Sequence, residues 1–103
     1  MNDKILAVIK RPNMDAEIAE IENRLPVLQA LVGGDIETVT YDDCVIVVNA
    51  ERLWENLPIN VHFRGHYLRG TVLVLSAGGG DDFAGLDKRE ACELALELDE
   101  GAY

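Results

Sequence analysis

The pattern of apolar and polar positions along this chain predicts a series of short strands and helices, beginning with a strand near the N-terminus. Ile5 to Ile9 is a short β-prone run, and Pro12 ends any pairing beyond it. In the next segment, AEIAEIEN, Ile18 and Ile21 are spaced as on a helix, but an irregular edge strand fits equally well. We favour the strand.

The segment NRLPVLQALVGG predicts a short helix. Asn23 is a suitable N-cap, Pro26 falls in the first turn, and Gly33 offers a left-handed stop. The predicted apolar face consists of Leu25, Leu28, Leu31 and Val32. A β-hairpin is then predicted from DIETVTY and CVIVVN, joined at Asp42 and Asp43. The unbroken run Val45 to Val48 indicates a strand that is covered on both faces.

The second half of the chain mixes clear and unclear signals. AERLWENLPIN predicts one helical turn ended by Pro58, with three core residues: Leu53, Trp54 and Leu57. VHFRGHYLRG is interpreted as an irregular connection, after which Gly70 leads into a buried strand from Thr71 to Leu75.

The C-terminal segment predicts an amphipathic helix. Asp87 and Glu90 form a capping box, and the apolar stripe consists of Ala91, Leu94, Ala95 and Leu98. Together these elements predict one α+β domain over residues 1–103, a mainly antiparallel sheet with a short central helix and this C-terminal helix.

Charge narrows the classes of partner. Lys and Arg total 9 against 19 Asp and Glu, a formal net charge of −10. Such a surface repels nucleic acid and anionic membranes and attracts basic protein surfaces, although acidity also simply keeps a small protein soluble.

Cys44 and Cys92 both lie in apolar segments and are predicted to be buried, reduced thiols. The apolar run before Lys10 is too short for a signal peptide or membrane span, so we expect a cytoplasmic protein.

The stretch LVLSAGGGDDFAGL resembles a phosphate loop only superficially. Asp81 and Asp82 directly follow its three glycines, and no cation appears before Lys88. A phosphate would therefore meet carboxylates first. We interpret the stretch as a surface turn that presents Asp81 and Asp82 to a basic partner.

Two further groups of side chains are candidate sites. Glu90, Glu93, Glu97 and Glu100 form an acidic stripe at helical spacing, although every amphipathic helix needs a polar side. A small ligand or an anion could instead contact the only stretch that mixes cations with aromatic residues, through His62, Arg64, His66 and Arg69. His62 and His66 lack further ligands for zinc, and no enzyme motif is present. We therefore expect no catalysis, no metal and no cofactor.

Four segments carry a resemblance to a known family: LQALVGGDIETV, CVIVVNAE, NLPIN and RGTVLVLSAG. From about Ile18 to Leu86 the chain resembles small proteins of phages and mobile elements that form a domain of unknown function. In size and acidity it also resembles anti-CRISPR proteins that inhibit type II-A Cas9. The resemblance implies an anti-defence protein whose partner is Cas9 or its guide-RNA complex. The alternative is a protein that binds or sequesters a nucleotide signal.

Overall fold

The fold is built from seven strands and two helices in the part of the chain that the computed structural model describes, residues 4–41, 43–77 and 83–103. The elements, in chain order, are β1 (Lys4–Lys10), β2 (Glu17–Glu22), α1 (Leu25–Val32), β3 (Ile36–Thr40), β4 (Cys44–Asn49), β5 (Ile59–Phe63), β6 (His66–Arg69), β7 (Val72–Ser76) and α2 (Lys88–Glu100). The predicted α+β class is confirmed, and the favoured strand after Pro12 is present as β2.

Five of the strands form one antiparallel sheet in the order β2-β1-β7-β4-β3, and β5 and β6 form a separate hairpin. Strand β7 is therefore central, and β4 lies next to it. These are the two strands that the continuous apolar runs predicted, although the second begins at Val72 rather than at Thr71.

The sheet is covered on both faces. Helix α2 and the β5–β6 hairpin pack on one face, with Ile46 and Val48 of β4 in that core. Helix α1 packs on the other face, where Val45 and Val47 lie beside Leu28. Because successive residues of a strand point to opposite faces, every residue of β4 is buried, as its unbroken run predicted.

The helix ends are specified locally. In α2 the Asp87 carboxylate accepts from the Glu90 amide while the Glu90 side chain accepts from the Asp87 amide, which confirms the predicted capping box. Gly33 ends α1 at φ 85°, also as predicted. The predicted cap Asn23 is wrong: Arg24 holds that position without a side-chain hydrogen bond, and the Asn23 Nδ2 donates instead to the Phe83 carbonyl oxygen at 3.0 Å.

Several burial predictions are corrected. Trp54 is 91% exposed and Leu53 is 69% exposed, so neither side chain belongs to the core. The exposed Leu25 likewise falls outside the apolar face of α1. Cys44 is buried, but Cys92 lies on the exposed side of α2; both thiols are free.

The segment read as irregular is in fact the β5–β6 hairpin. Phe63 pairs with His66, so Arg64 and Gly65 form a two-residue turn with φ values of 47° and 89°. Positive φ at both positions gives the twist that tight hairpins need, and Gly65 adopts it without strain. Within the described residues, neither helix combines the length and apolar character needed to cross a membrane.

Candidate functional site

A shallow acidic cleft lies where helix α2 meets the β5–β6 turn. Its volume is about 140 Å³, and its lining residues are Asp43, Arg64, Glu90, Glu93, Leu94 and Glu97. Three of the four glutamates in the predicted stripe therefore share one site with the β3–β4 turn. Glu100 is exposed at the end of α2 and does not line the cleft.

Arg64 holds the cleft together. Its Nη1 and Nη2 donate to the two Asp43 carboxylate oxygens at 2.6 and 3.1 Å. Its Nε and Nη2 also donate to the Glu97 carboxylate at 2.9 and 3.2 Å. The planar guanidinium is suited to such paired contacts, so the hairpin, the β3–β4 turn and α2 are joined by one side chain.

Aromatic rings complete the surroundings of this guanidinium. The Arg64 Cζ lies 4.8 Å from the ring centroid of Phe63 and 5.6 Å from that of Tyr41. A cation within about 6 Å of a ring face is attracted by it. Arg64 is thus held by two carboxylates and two rings at once.

The electrostatics of the clamp agree with its geometry. Hydrogen bonding to Arg64 lowers the pKa of Asp43 below its ordinary value of 3.8, although partial burial opposes the shift. The same bond to Asp43, followed by that to Glu97, raises the pKa of Arg64. Asp43 and Arg64 are therefore both charged at neutral pH.

Cys44 lies beside the cleft, but its thiol has low reactivity. Burial, followed by the negative charge of Asp43, raises the pKa of Cys44 from 9.0 to about 12. Because the thiolate is the reactive form, Cys44 is unsuited to nucleophilic chemistry at neutral pH.

The remaining carboxylates of the cleft are held more loosely. Glu93 accepts from the Arg89 Nε at 3.3 Å in an exposed pair, and Glu90 belongs to the capping box. The cleft lining thus carries four carboxylates against one guanidinium, and that guanidinium already makes four hydrogen bonds to Asp43 and Glu97. The arrangement can accept a further cation, with Leu94 offering an apolar contact.

The second predicted group of residues is not brought into one site. Arg64 serves the cleft, whereas the Arg69 Nη1 donates to the Leu57 carbonyl oxygen at 2.9 Å. His62 stacks near Tyr67 and His66 lies near Tyr41, with centroid distances of 4.6 and 6.5 Å.

Two of the predicted residues cannot be placed, and one residue of the cleft was missed. Asp81 and Asp82 lie outside the described residues. The sequence reasoning missed Asp43 as a site residue; its only signal was a place in a two-aspartate turn. Among residues 4–41, 43–77 and 83–103, no group of His, Cys, Asp and Glu is arranged to hold a metal ion.

Fold and site together define a small acidic α+β domain with a carboxylate-lined cleft. The chain belongs to the family described as a domain of unknown function, DUF3846, whose model matches residues 4–97. No curated protein and no solved structure shows a significant match to the chain.

Proposed function

We propose that the protein is a non-enzymatic inhibitor that binds a basic surface of a host CRISPR effector, Cas9 or its guide-RNA complex. The observation that carries the proposal is the acidic cleft, which is lined by Asp43, Glu90, Glu93 and Glu97 and holds one arginine, already paired with Asp43 and Glu97. A protein that offers carboxylates in this way is suited to a partner rich in Lys and Arg.

A basic side chain fits the cleft in both charge and shape. Its cationic head would meet Glu93, whose contact with Arg89 is exposed and easily exchanged. Its aliphatic stem would lie along Leu94, since long basic side chains commonly bury their methylene groups on apolar surface. Arg64 does not compete for Glu93, because its ion pairs are with Asp43 and Glu97.

Cas9 matches these requirements as a partner. It holds the guide and target strands in a positively charged channel and reads its short DNA signal with arginines. The resemblance of the chain to small phage and mobile-element proteins supports a role against host defence. The net charge of −10 adds a long-range attraction that speeds encounter with such a surface.

The test is a Cas9 cleavage assay in which purified wild type is compared with Glu93→Lys and Glu51→Lys. Glu93 lines the cleft, and its replacement leaves the Arg64 clamp and the capping box intact. Asp43 directly precedes β4 and Glu51 lies just beyond its other end, and the strand between them is roughly 20 Å long. Both variants change the net charge equally, so the comparison isolates the cleft from overall charge.

We expect Glu93→Lys to raise the inhibitory concentration several-fold and Glu51→Lys to change it little. The difference should be largest at low salt, because the Debye length falls from about 10 Å at 0.1 M to about 3 Å at 1 M. Equal inhibition by the two variants at every salt concentration would contradict the role of the cleft. A wild type that never slows cleavage would contradict Cas9 as the partner.

A third variant, Arg69→Ala, tests the nucleotide-signal alternative in the same assay. Arg69 lies outside the cleft and donates to a backbone carbonyl oxygen. We expect the variant to inhibit as well as wild type. Loss of inhibition in a folded Arg69→Ala variant would favour a ligand contact at the hairpin over the acidic cleft.

A further inference from the structure

Three aromatic rings form a continuous exposed surface on the outer side of the β5–β6 hairpin. His62 and Tyr67 are cross-strand partners, with ring centroids 4.6 Å apart and planes 30° from parallel. Tyr103 meets Tyr67 edge-on at 6.4 Å. Tyr67 is 64% exposed and Tyr103 is 75% exposed, so these rings are open to a ligand.

Backbone hydrogen bonds fix this aromatic surface in place. The His62 amide donates to the Gly101 carbonyl oxygen at 2.8 Å, and the Tyr103 amide donates to the Asn60 carbonyl oxygen at 2.9 Å. Between them Val61 and Ala102 form an antiparallel bridge. These contacts hold the backbone of residues 101–103 against β5, so the rings need little ordering before they bind a ligand.

We propose that this surface, formed by His62, Tyr67 and Tyr103, stacks against arginine side chains of a basic protein partner. Exposed ring faces accept a planar group, and a net charge of −10 selects a cationic one. A nucleotide brings phosphates that this charge repels, and a second copy of the chain brings the same negative charge. The guanidinium of arginine is both planar and cationic.

The molecule already binds one guanidinium in this way. Its own Arg64 lies over the rings of Phe63 and Tyr41 while carboxylates hold its edges. The outer surface offers a similar edge-on pair of rings in Tyr67 and Tyr103. The inference rests on the proposed function for the basic character of the partner, and it adds a preference for arginine over lysine.

The experiment measures binding of two peptides by calorimetry, one alternating arginine with glycine and one alternating lysine with glycine. Both carry the same charge, but only guanidinium groups stack well on aromatic rings. We expect wild type to bind the arginine peptide about fivefold more tightly. The double variant Tyr67→Leu with Tyr103→Leu should lose this preference and keep its affinity for the lysine peptide.

Trp54→Leu is the matched control, because it removes a single, more exposed ring that is not part of the hairpin. It should retain the preference for arginine. The inference is overturned if wild type binds the two peptides equally, if the tyrosine variant keeps the preference, or if adenosine monophosphate binds these tyrosines more tightly than the arginine peptide.

The cleavage assay separates this inference from the Cas9 proposal. If the protein prefers arginine through Tyr67 and Tyr103 but never slows Cas9, the stacking surface is supported and Cas9 is refuted as the partner. Conversely, if a variant that has lost the arginine preference still inhibits Cas9 fully, Cas9 is supported as the partner. The stacking surface is then not part of the interface with Cas9.

Discussion

Arg64 shows at the scale of one residue how much a single side chain can decide. It occupies the first position of a tight turn at φ 47°, a conformation that is uncommon for residues other than glycine, asparagine and aspartate. The contacts to Asp43 and Glu97 offset that cost. The turn therefore serves to aim a cation at two carboxylates, which a glycine in its place could not do.

The Asp43–Arg64 pair predicts a pH dependence of stability. The pKa of Asp43 is lowered in the folded protein, so the unfolded chain binds the proton more readily. The carboxylate therefore stabilises the fold above its unfolded pKa, and this contribution is lost as the pH falls through the folded pKa. Asp43→Asn should lower the free energy of unfolding at pH 7 by about 1 kcal/mol or less, since the aspartate is exposed.

Urea unfolding at pH 7 and at about pH 3 checks this prediction. The deficit of Asp43→Asn relative to wild type should shrink at the lower pH. Glu51→Gln is the control, because Glu51 is exposed and lies away from Arg64. A deficit that is constant between the two pH values would mean that the substitution acts through packing rather than through charge.

Asn60 is a residue whose substitution should lower the stability of the fold strongly. It is buried, and its Nδ2 donates to the carbonyl oxygens of Lys10 and Gly70 at 2.7 and 2.8 Å. Its Oδ1 accepts from the Lys10 Nζ at 3.0 Å, and Lys10 is itself only 2% exposed. One amide thus satisfies a buried ammonium and two buried carbonyl oxygens.

Asn60→Ala should therefore lower the free energy of unfolding by at least about 2 kcal/mol, because buried polar groups lose their partners. Chemical denaturation provides the measurement. The control is Asn23→Ala, since half-buried Asn23 makes one hydrogen bond to a backbone carbonyl oxygen and should cost about 1 kcal/mol or less. Similar losses for the two variants would refute the role assigned to burial.

At the scale of elements, a set of polar contacts holds the turn between β4 and β5. The Asn49 Oδ1 accepts from the Glu51 amide at 2.7 Å, and the Arg52 Nη1 donates to the Asn49 carbonyl oxygen at 3.2 Å. The Glu55 amide donates to the Glu51 carbonyl oxygen, which closes one helical turn. Trp54 takes no part in this framework.

Trp54→Ala should consequently leave the melting temperature almost unchanged, with an effect within about 0.5 kcal/mol. Phe63→Ala should instead cost about 3 kcal/mol or more, because Phe63 is buried in the core under α2. Thermal unfolding followed by circular dichroism compares the two. A large loss for Trp54→Ala would show that the tryptophan packs in solution.

The buried strands, Trp54 and the β5–β6 hairpin show what the sequence could and could not predict. Short continuous apolar runs predicted β1, β4 and β7, because a strand that is buried on both faces has apolar residues at successive positions. Trp54 was assigned to the core on hydrophobicity alone, but its local sequence pattern does not determine whether its turn packs against the sheet. The β5–β6 hairpin was missed since its turn residues, Arg64 and Gly65, do not form a common hairpin dipeptide.

The cleft was predictable only in part, for a similar reason. The helical spacing of Glu90, Glu93 and Glu97 follows from local sequence and capping, so the stripe was visible. Asp43 joins it through a long-range contact, with Arg64 as the bridge, and periodicity carries no information about such contacts. Arg64 was noticed for its charge, but it was placed with the histidines rather than with the carboxylates.

At the scale of the whole molecule, the acidity that suits a basic partner also opposes folding. A net charge of −10 in a chain of this size repels itself in the compact state. The ion pairs of the described residues are largely exposed, as in Arg89–Glu93, and each contributes little. Repulsion spread over the whole surface should therefore outweigh the local attractions.

Sodium chloride should for this reason raise the melting temperature by a few degrees between about 0.05 and 0.5 M, as screening weakens the repulsion. Glu20→Lys with Glu100→Lys, both at exposed positions, moves the net charge from −10 to −6. That variant should melt higher at low salt and respond less to added salt. A melting temperature that falls with salt in wild type would mean that local ion pairs, with the Arg64 clamp foremost, dominate the electrostatics of the fold.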